Sequence, residues 1–220
     1  MKTEIKGGFA FSYVDVELAP GETLITESDA MSSMDPVIDL KAATNGGIMR
    51  ALLKKYLGGE TFFISKFTNN TDTARKLTIV QPTPGEIRYV DLDKEAFNLQ
   101  PGTFVACTEG VRLGLRWAGL VSFIAREGLF KLQVSGTGRV FYGAYGALID
   151  KEIDGEYIVD TSHLVAYEPS IKLHLQLAGG IFSSFFGGEG LVTRVSGKGK
   201  ITIQSRSISG LAGWLNPKFR

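Results

Sequence analysis

Residues 159–177 read VDTSHLVAYEPSIKLHLQL, and residues 99–117 read LQPGTFVACTEGVRLGLRW. The two stretches align sixty positions apart without a gap. Each opens on a polar turn, runs through four apolar residues (Phe104–Cys107, Leu164–Tyr167), turns again and ends in strict alternation. Ile171, Leu173, Leu175 and Leu177 alternate with Lys172, His174 and Gln176, as Val111, Leu113, Leu115 and Trp117 alternate with Arg112, Gly114 and Arg116. Side chains repeating every two residues sit on one face of a strand, so both segments read as strands with one buried and one wet face. A more divergent copy, TESDAMSSMDPVIDLKA, starts at Thr26, where Ile38, Leu40 and Ala42 alternate with Asp39 and Lys41.

The surroundings repeat as well. A glycine–glutamate loop recurs as GGETF (58–62), REGLF (126–130) and GEGLV (188–192), followed by LTIV (77–80), RVFYGAYG (139–146) and KITIQSR (200–206). The chain is therefore expected to be three tandem units, bounded 1–83, 84–146 and 147–220. The expected fold is all-β: each unit a small sandwich or short double-stranded β-helix, with short strands between turns rich in Gly, Pro, Asp and Asn. Helix is expected in two places. Ile48, Met49, Leu52, Leu53, Tyr56 and Leu57 follow helical spacing in the first unit, and the tail LAGWLNPKF can form a turn or two ahead of Pro217.

Composition narrows the function classes. The 220 residues are 44% apolar and 21% charged, as in folded globular proteins, and 24 Lys plus Arg against 23 Asp plus Glu gives no global electrostatic footprint for nucleic acid. The 27 glycines against 7 prolines suggest tight turns rather than linkers. Cys107 is the only cysteine, so no intrachain disulfide forms, and a reducing, cytoplasmic setting is expected. Its place in Phe104–Cys107 marks it as a small buried apolar residue. The first residues carry Glu4 and Asp15 without the apolar core of a signal peptide, and no run approaches the ~18 apolar residues of a membrane span.

The GGE and EGLV loops, the DTSHLVAY segment, the IKLHLQL strand and the closing QSRSISGLAGWL resemble one family, with VELAPGETLITESDAMSSMD and GGETFFISKFT resembling its first repeat. It is the prokaryotic family of proteins of unknown function related to the eukaryotic factor named for altered inheritance of mitochondria and mitochondrial biogenesis. The similarity spans roughly Val14 to Leu215, and Ala125-Arg126-Glu127-Gly128 departs from the more usual Gly-Gly-Glu-Gly. The resemblance implies three fused units like that of the tryptophan RNA-binding attenuation protein, and homotrimers closing into a ring. No ligand motif of the attenuation protein is matched residue by residue, so neither tryptophan nor RNA binding is implied.

Candidate sites are few. FFGGEGLV (185–192) invites a phosphate-loop reading, but no Walker spacing surrounds it, and Gly197-Lys198 lacks the preceding glycine and the following hydroxyl. Glu60, Glu127 and Glu189 share one place in three units with no partner common to all. They are expected to be structural, accepting from loop N–H groups beside glycines such as Gly187, Gly188 and Gly190. With only His163 and His174, on different elements, no metal or other cofactor is expected. Ser162, Ser183 and Ser184 lack a nucleophile context, and Asp91/Asp93 and Asp150/Glu152 read as solvated carboxylates in turn-rich segments. Lys41, Arg112, Arg116 and Lys172 lie on equivalent strands; they are the candidate anion-binding row, against the plainer reading of a solvated face. Ile181, Phe182, Phe185 and Phe186, with the first unit's helix, are too apolar to stand free and are expected at an oligomer interface, contact with a membrane surface being the minor reading. The expectation is a non-enzymatic scaffold forming a trimeric ring. The alternatives are an RNA- or polyanion-binding module on the basic face, and an enzyme with a site between subunits.

Overall fold

The alternating segments do form strands. The structure, a computed structural model, describes residues 1–44, 63–100, 102–117, 130–177 and 191–219. Taken by the bounds 1–83, 84–146 and 147–220, the first stretch contributes β1 (Lys2–Lys6), β2 (Tyr13–Leu18), β3 (Thr23–Glu27), β4 (Met31–Met34), β5 (Asp39–Thr44), β6 (Phe63–Thr68) and β7 (Arg75–Val80). The second holds β8 (Ile87–Leu99), β9 (Phe104–Thr108), β10 (Val111–Trp117) and β11 (Phe130–Gly143). The third holds β12 (Leu148–Asp160), β13 (Leu164–Tyr167), β14 (Lys172–Leu177) and β15 (Leu191–Gln204). One α-helix is present among the described residues, α1 (Ile208–Leu215), capped by the Ser207 hydroxyl, which accepts from the Gly210 N–H at 3.1 Å. It ends ahead of Pro217, as its sequence suggests, and a 3₁₀ turn follows over Asn216–Phe219.

The described strands form two antiparallel sheets. The smaller runs β1-β2-β7-β4; the larger runs β12-β15-β13-β8-β11-β9-β3-β6-β5, with β10 added to β11 and β14 to β15. Arg139 joins the two sheets: it forms a two-pronged pair with Asp91 (2.7 and 2.8 Å), lies 3.8 Å over the Tyr89 ring and donates to Thr3 Oγ1 of β1 at 2.9 Å.

The pairings recur. β11 pairs with β8 along nearly its whole length, with β10 beside its first half and β9 beside its second. β15 stands in the same relation to β12, β14 and β13. In the first stretch β7 pairs with β2 and β4, and β6 with β3 and β5, which is the same scheme with each long strand cut in two. Each short strand also slips by one residue at the matching step, between Met31 and Ser33, Phe104 and Ala106, and Leu164 and Ala166.

The expectation of short strands needs correction. β8 and β12 run 13 residues, β11 and β15 run 14. Glycines that read as turns lie inside them. Gly136 (φ +114) and Gly197 (φ +129) sit where a preceding turn crosses the strand, so a Cβ would lie 2.5 Å from the Gly110 carbonyl oxygen and 2.7 Å from that of Ser170. Only glycine accepts both the left-handed backbone and that approach, so the strand bends without ending. Asp91, Asp93, Asp150 and Glu152 are likewise on strands, not in turns. The first unit's expected helix, Ile48–Leu57, lies outside the described residues.

Among the described residues three apolar clusters fill the interior. The first gathers Val14, Leu18, Phe67, Leu77 and Ile79 with Ile87, Val105 and Phe141 of the next stretch. The middle one gathers Leu99, Phe104, Cys107, Val134 and Val140 with Leu148, Val165 and Ala166 of the third. The last draws only on residues between Ile153 and Ile203. Cys107 is fully buried at the centre, and burial pushes its thiol up to about 12. The native protein is expected to leave Cys107 unmodified by a thiol reagent at neutral pH, with one thiol per chain reacting on denaturation; prompt native reaction would contradict this placement.

Candidate functional site

What joins one stretch to the next is a pair of short strands. β3 pairs with β9 through Ile25–Cys107 and Thr26–Ala106, and β8 pairs with β13 through Asn98–Tyr167 and Leu99–Ala166. These eight residues are all buried, none above 7% exposed. Each joint therefore satisfies backbone groups and hides apolar surface together.

Counting from the one-residue slip, Ser33 and Met34 on β4 stand where Ala106 and Cys107 stand on β9. Counting back from Gly136 and Gly197, Val159 on β12 stands where Leu99 stands on β8, and Ile158 where Asn98 stands. Among the described residues these positions have no strand partner. β4 ends the small sheet and β12 ends the large one. Ser33 is exposed, and Ile158 is 47% exposed. Among the described residues no strand pairs with the outer sides of β5, β10 and β14 in any of the three stretches, so β4 and the end of β12 stand out as the positions whose counterparts are paired.

Side-chain character agrees. Most of the β12 edge carries exposed charges (Asp150, Lys151, Glu152, Asp154, Glu156), the usual guard against edge-to-edge pairing, but the guard stops at Tyr157 and Ile158. Among the described residues, the exposed large apolar side chains concentrate in the first stretch (Phe9, Phe11, Met31) and the third (Tyr157, Ile158, Trp214), while the middle stretch contributes Tyr89.

A polar node fixes the connection between the second and third stretches. Glu86, buried, accepts from Arg88 Nε at 2.6 Å and from the Leu148 N–H at 2.7 Å. Arg88 also donates to the Leu148 carbonyl at 2.7 Å, and its Nη1 lies 3.4 Å from Asp150. Sequence reasoning missed Glu86, since a lone acid after Pro84-Gly85 breaks no periodic pattern. Near the second joint, the Tyr167 hydroxyl is buried without a hydrogen-bond partner among the described residues. Burial raises its pKa, which keeps it neutral. Tyr167→Phe is expected to keep the fold and raise stability by about 1 kcal/mol, because an unmade buried hydrogen bond disappears; a urea midpoint lowered by the change would show that the hydroxyl is satisfied.

The residues singled out in the sequence do not converge. Lys41, exposed, pairs with Asp39 at 2.8 Å. Arg112 and Lys172, also exposed, hold matching places opposite Ser135 and Ser196 on separate outer strands, and Arg116 pairs in register with Lys131. On the neighbouring strands Arg194, Lys198 and Lys200 each have a carboxylate within 4 Å (Glu156, Asp154, Glu152). His174 is exposed opposite Arg194, while His163 ends a 3₁₀ turn with Nδ1 2.7 Å from the Gln204 carbonyl. Among the described residues no three His, Cys, Asp or Glu side chains gather as a metal site, and no helix is long and apolar enough to cross a membrane. Glu60, Glu127, Gly187, Gly188, Glu189, Gly190, Ile181, Phe182, Phe185 and Phe186 lie outside the described residues.

Comparison with known proteins places this geometry. The profile of the family described as mitochondrial biogenesis AIM24 matches residues 3–206. An uncharacterized protein of Streptococcus pyogenes serotype M6 is 25% identical over 224 residues, covering 98% of this chain and 90% of its own. A crystal structure of a Streptococcus pyogenes protein superposes with a TM-score of 0.81 at 24% identity, covering 99% of both chains, which shows the same fold.

Proposed function

The chain belongs to the mitochondrial biogenesis AIM24 family, and we propose that this protein is a non-enzymatic scaffold whose three tandem units assemble head to tail into a closed, cytoplasmic homotrimeric ring. The observation that carries the reading is the pair of unmatched edges. The sites on β4 and at the end of β12 correspond to edges that are paired and buried at both internal joints. One more joint of the same kind, made between two copies, sets Val159 opposite Ser33 and Ile158 opposite Met34. An interface between different patches repeats from copy to copy and ends only by closing, so a ring satisfies both of these edges in every copy. The number three comes from the family resemblance. Ser33 supports the match in detail: it is small like its counterparts Ala106 and Ala166, which are fully buried at their joints.

Light scattering of the full-length protein at micromolar concentration tests the reading. A mass of three chains is the expected result, and a stable single chain overturns it. Binding of mixed RNA that weakens steeply with salt would instead favour the basic strand face as a polyanion site. The neighbouring carboxylates speak for the scaffold.

A further inference from the structure

The helix α1 has no buried residue. Ile208, Leu211 and Trp214, three positions apart in turn, are 55%, 38% and 62% exposed, and Phe219 beyond them is 81% exposed. An eight-residue helix is well below the ~12–15 residues that are even marginal alone in water, so packing must sustain it, and among the described residues the single chain buries none of its side chains. At the other end of the chain, the connection between β1 and β2 exposes Phe9 (74%) and Phe11 (71%). Two apolar patches of this kind call for a cover.

A row of connecting segments shows where each patch lies. The Ser12 N–H donates to the Gly85 carbonyl at 3.0 Å, and Gly85 bridges in parallel to Gly146. The Ser205 N–H then donates to the Ala147 carbonyl at 2.9 Å, and the Arg206 N–H to that of Tyr145 at 3.2 Å. The starts of the first, second and third stretches and the tail thus stand side by side. The row ends at Arg206, immediately before α1, and begins at Ser12, immediately after Phe11. The strand joints advance in the same direction, from β3 to β9 and from β8 to β13.

We infer that α1 is a strap across the joint between copies, and that its Ile208–Leu211–Trp214 face covers Phe9 and Phe11 of the next copy. The inference rests on the head-to-tail reading: continuing the row by one step sets the next copy's Ser12 segment against Arg206–Ser207. That brings its two phenylalanines beside the helix. The strap supplies apolar contact at the joint, and the strand pair supplies register.

Dissociation of the full-length assembly, followed by mass photometry across dilution, tests this with L211D/W214D, with F9D/F11D and with the four changes combined. Removing large side chains from such a contact is expected to weaken assembly by at least about tenfold for each pair. The combined variant is expected to lose much less than the product of the two losses, because both pairs remove one shared contact. Far-ultraviolet spectra and urea melts of the dissociated chains should match wild type, since the altered side chains are exposed in the single chain. Assembly unchanged by the helix variant, or losses that multiply fully, overturns the strap while leaving the scaffold reading in place. A wild-type protein that never assembles overturns both.

Discussion

Ser33→Lys and Ile158→Lys are each expected to convert the assembled protein into single folded chains. Both side chains are exposed in the isolated chain, so neither change disturbs its core. At the proposed joint the same positions are closed: the counterparts of Ser33 are Ala106 and Ala166, each 0% exposed, and those of Ile158 are Ile25 and Asn98, at 7% and 4%. A lysine there either buries an unpaired ammonium, which costs several kcal/mol, or holds the strands apart and forfeits the joint. About 3 kcal/mol is already more than a hundredfold in the equilibrium constant, enough to empty the assembled state at micromolar concentration. Light scattering of each variant beside wild type reads the effect. An unchanged mass with an unchanged melt would remove β4 and the end of β12 from the interface.

The second large effect is predicted inside the chain. Glu86→Ala is expected to destabilise each chain by roughly 2–4 kcal/mol, measured by urea denaturation. Losing the buried carboxylate leaves the Leu148 N–H without its acceptor and Arg88 without its closest anion. Breaking a buried pair typically costs about 3–5 kcal/mol, and the estimate here is lower because the Arg88 side chain is a third exposed and keeps the Leu148 carbonyl. Glu86→Gln should cost clearly less, since its amide oxygen can still accept from Leu148. Equal costs for the two would mean that the charge on Arg88, rather than the backbone acceptor, governs the node.

The strands were legible because apolar residues recur every two positions: Val111–Trp117 and the segment leading to Leu177 show it directly. The recurrence of LQPGTFVACTEG and VDTSHLVAYEPS also located β9 and β13, whose matching slips and partners make the two internal joints. Strand lengths were not legible. Gly136 and Gly197 looked like turn residues because glycine marks a close crossing and a reversal equally well, and only the position of Gly110 and Ser170 distinguishes them. The site was hidden for a similar reason. Ser33 and Ile158 belong to no motif; among the described residues they stand apart from Ala106 and Asn98 by lacking a paired strand, and a missing neighbour leaves no trace in a linear pattern. Lys41, Arg112 and Lys172 drew notice as a charged row, yet topology distributes them over β5, β10 and β14.

A disulfide trap tests head-to-tail pairing most directly. Directly opposed residues of an antiparallel pair have Cα atoms about 4.5–5.5 Å apart, within the span of a disulfide, and the buried Cys107 does not compete. With one cysteine at each edge, S33C/V159C is expected to oxidise into a covalent species of three chains on a non-reducing denaturing gel, while S33C and V159C alone stay unlinked. Linked pairs from S33C alone would mean like edges meeting, and a double variant that remains single-chained under oxidation would contradict the joint itself.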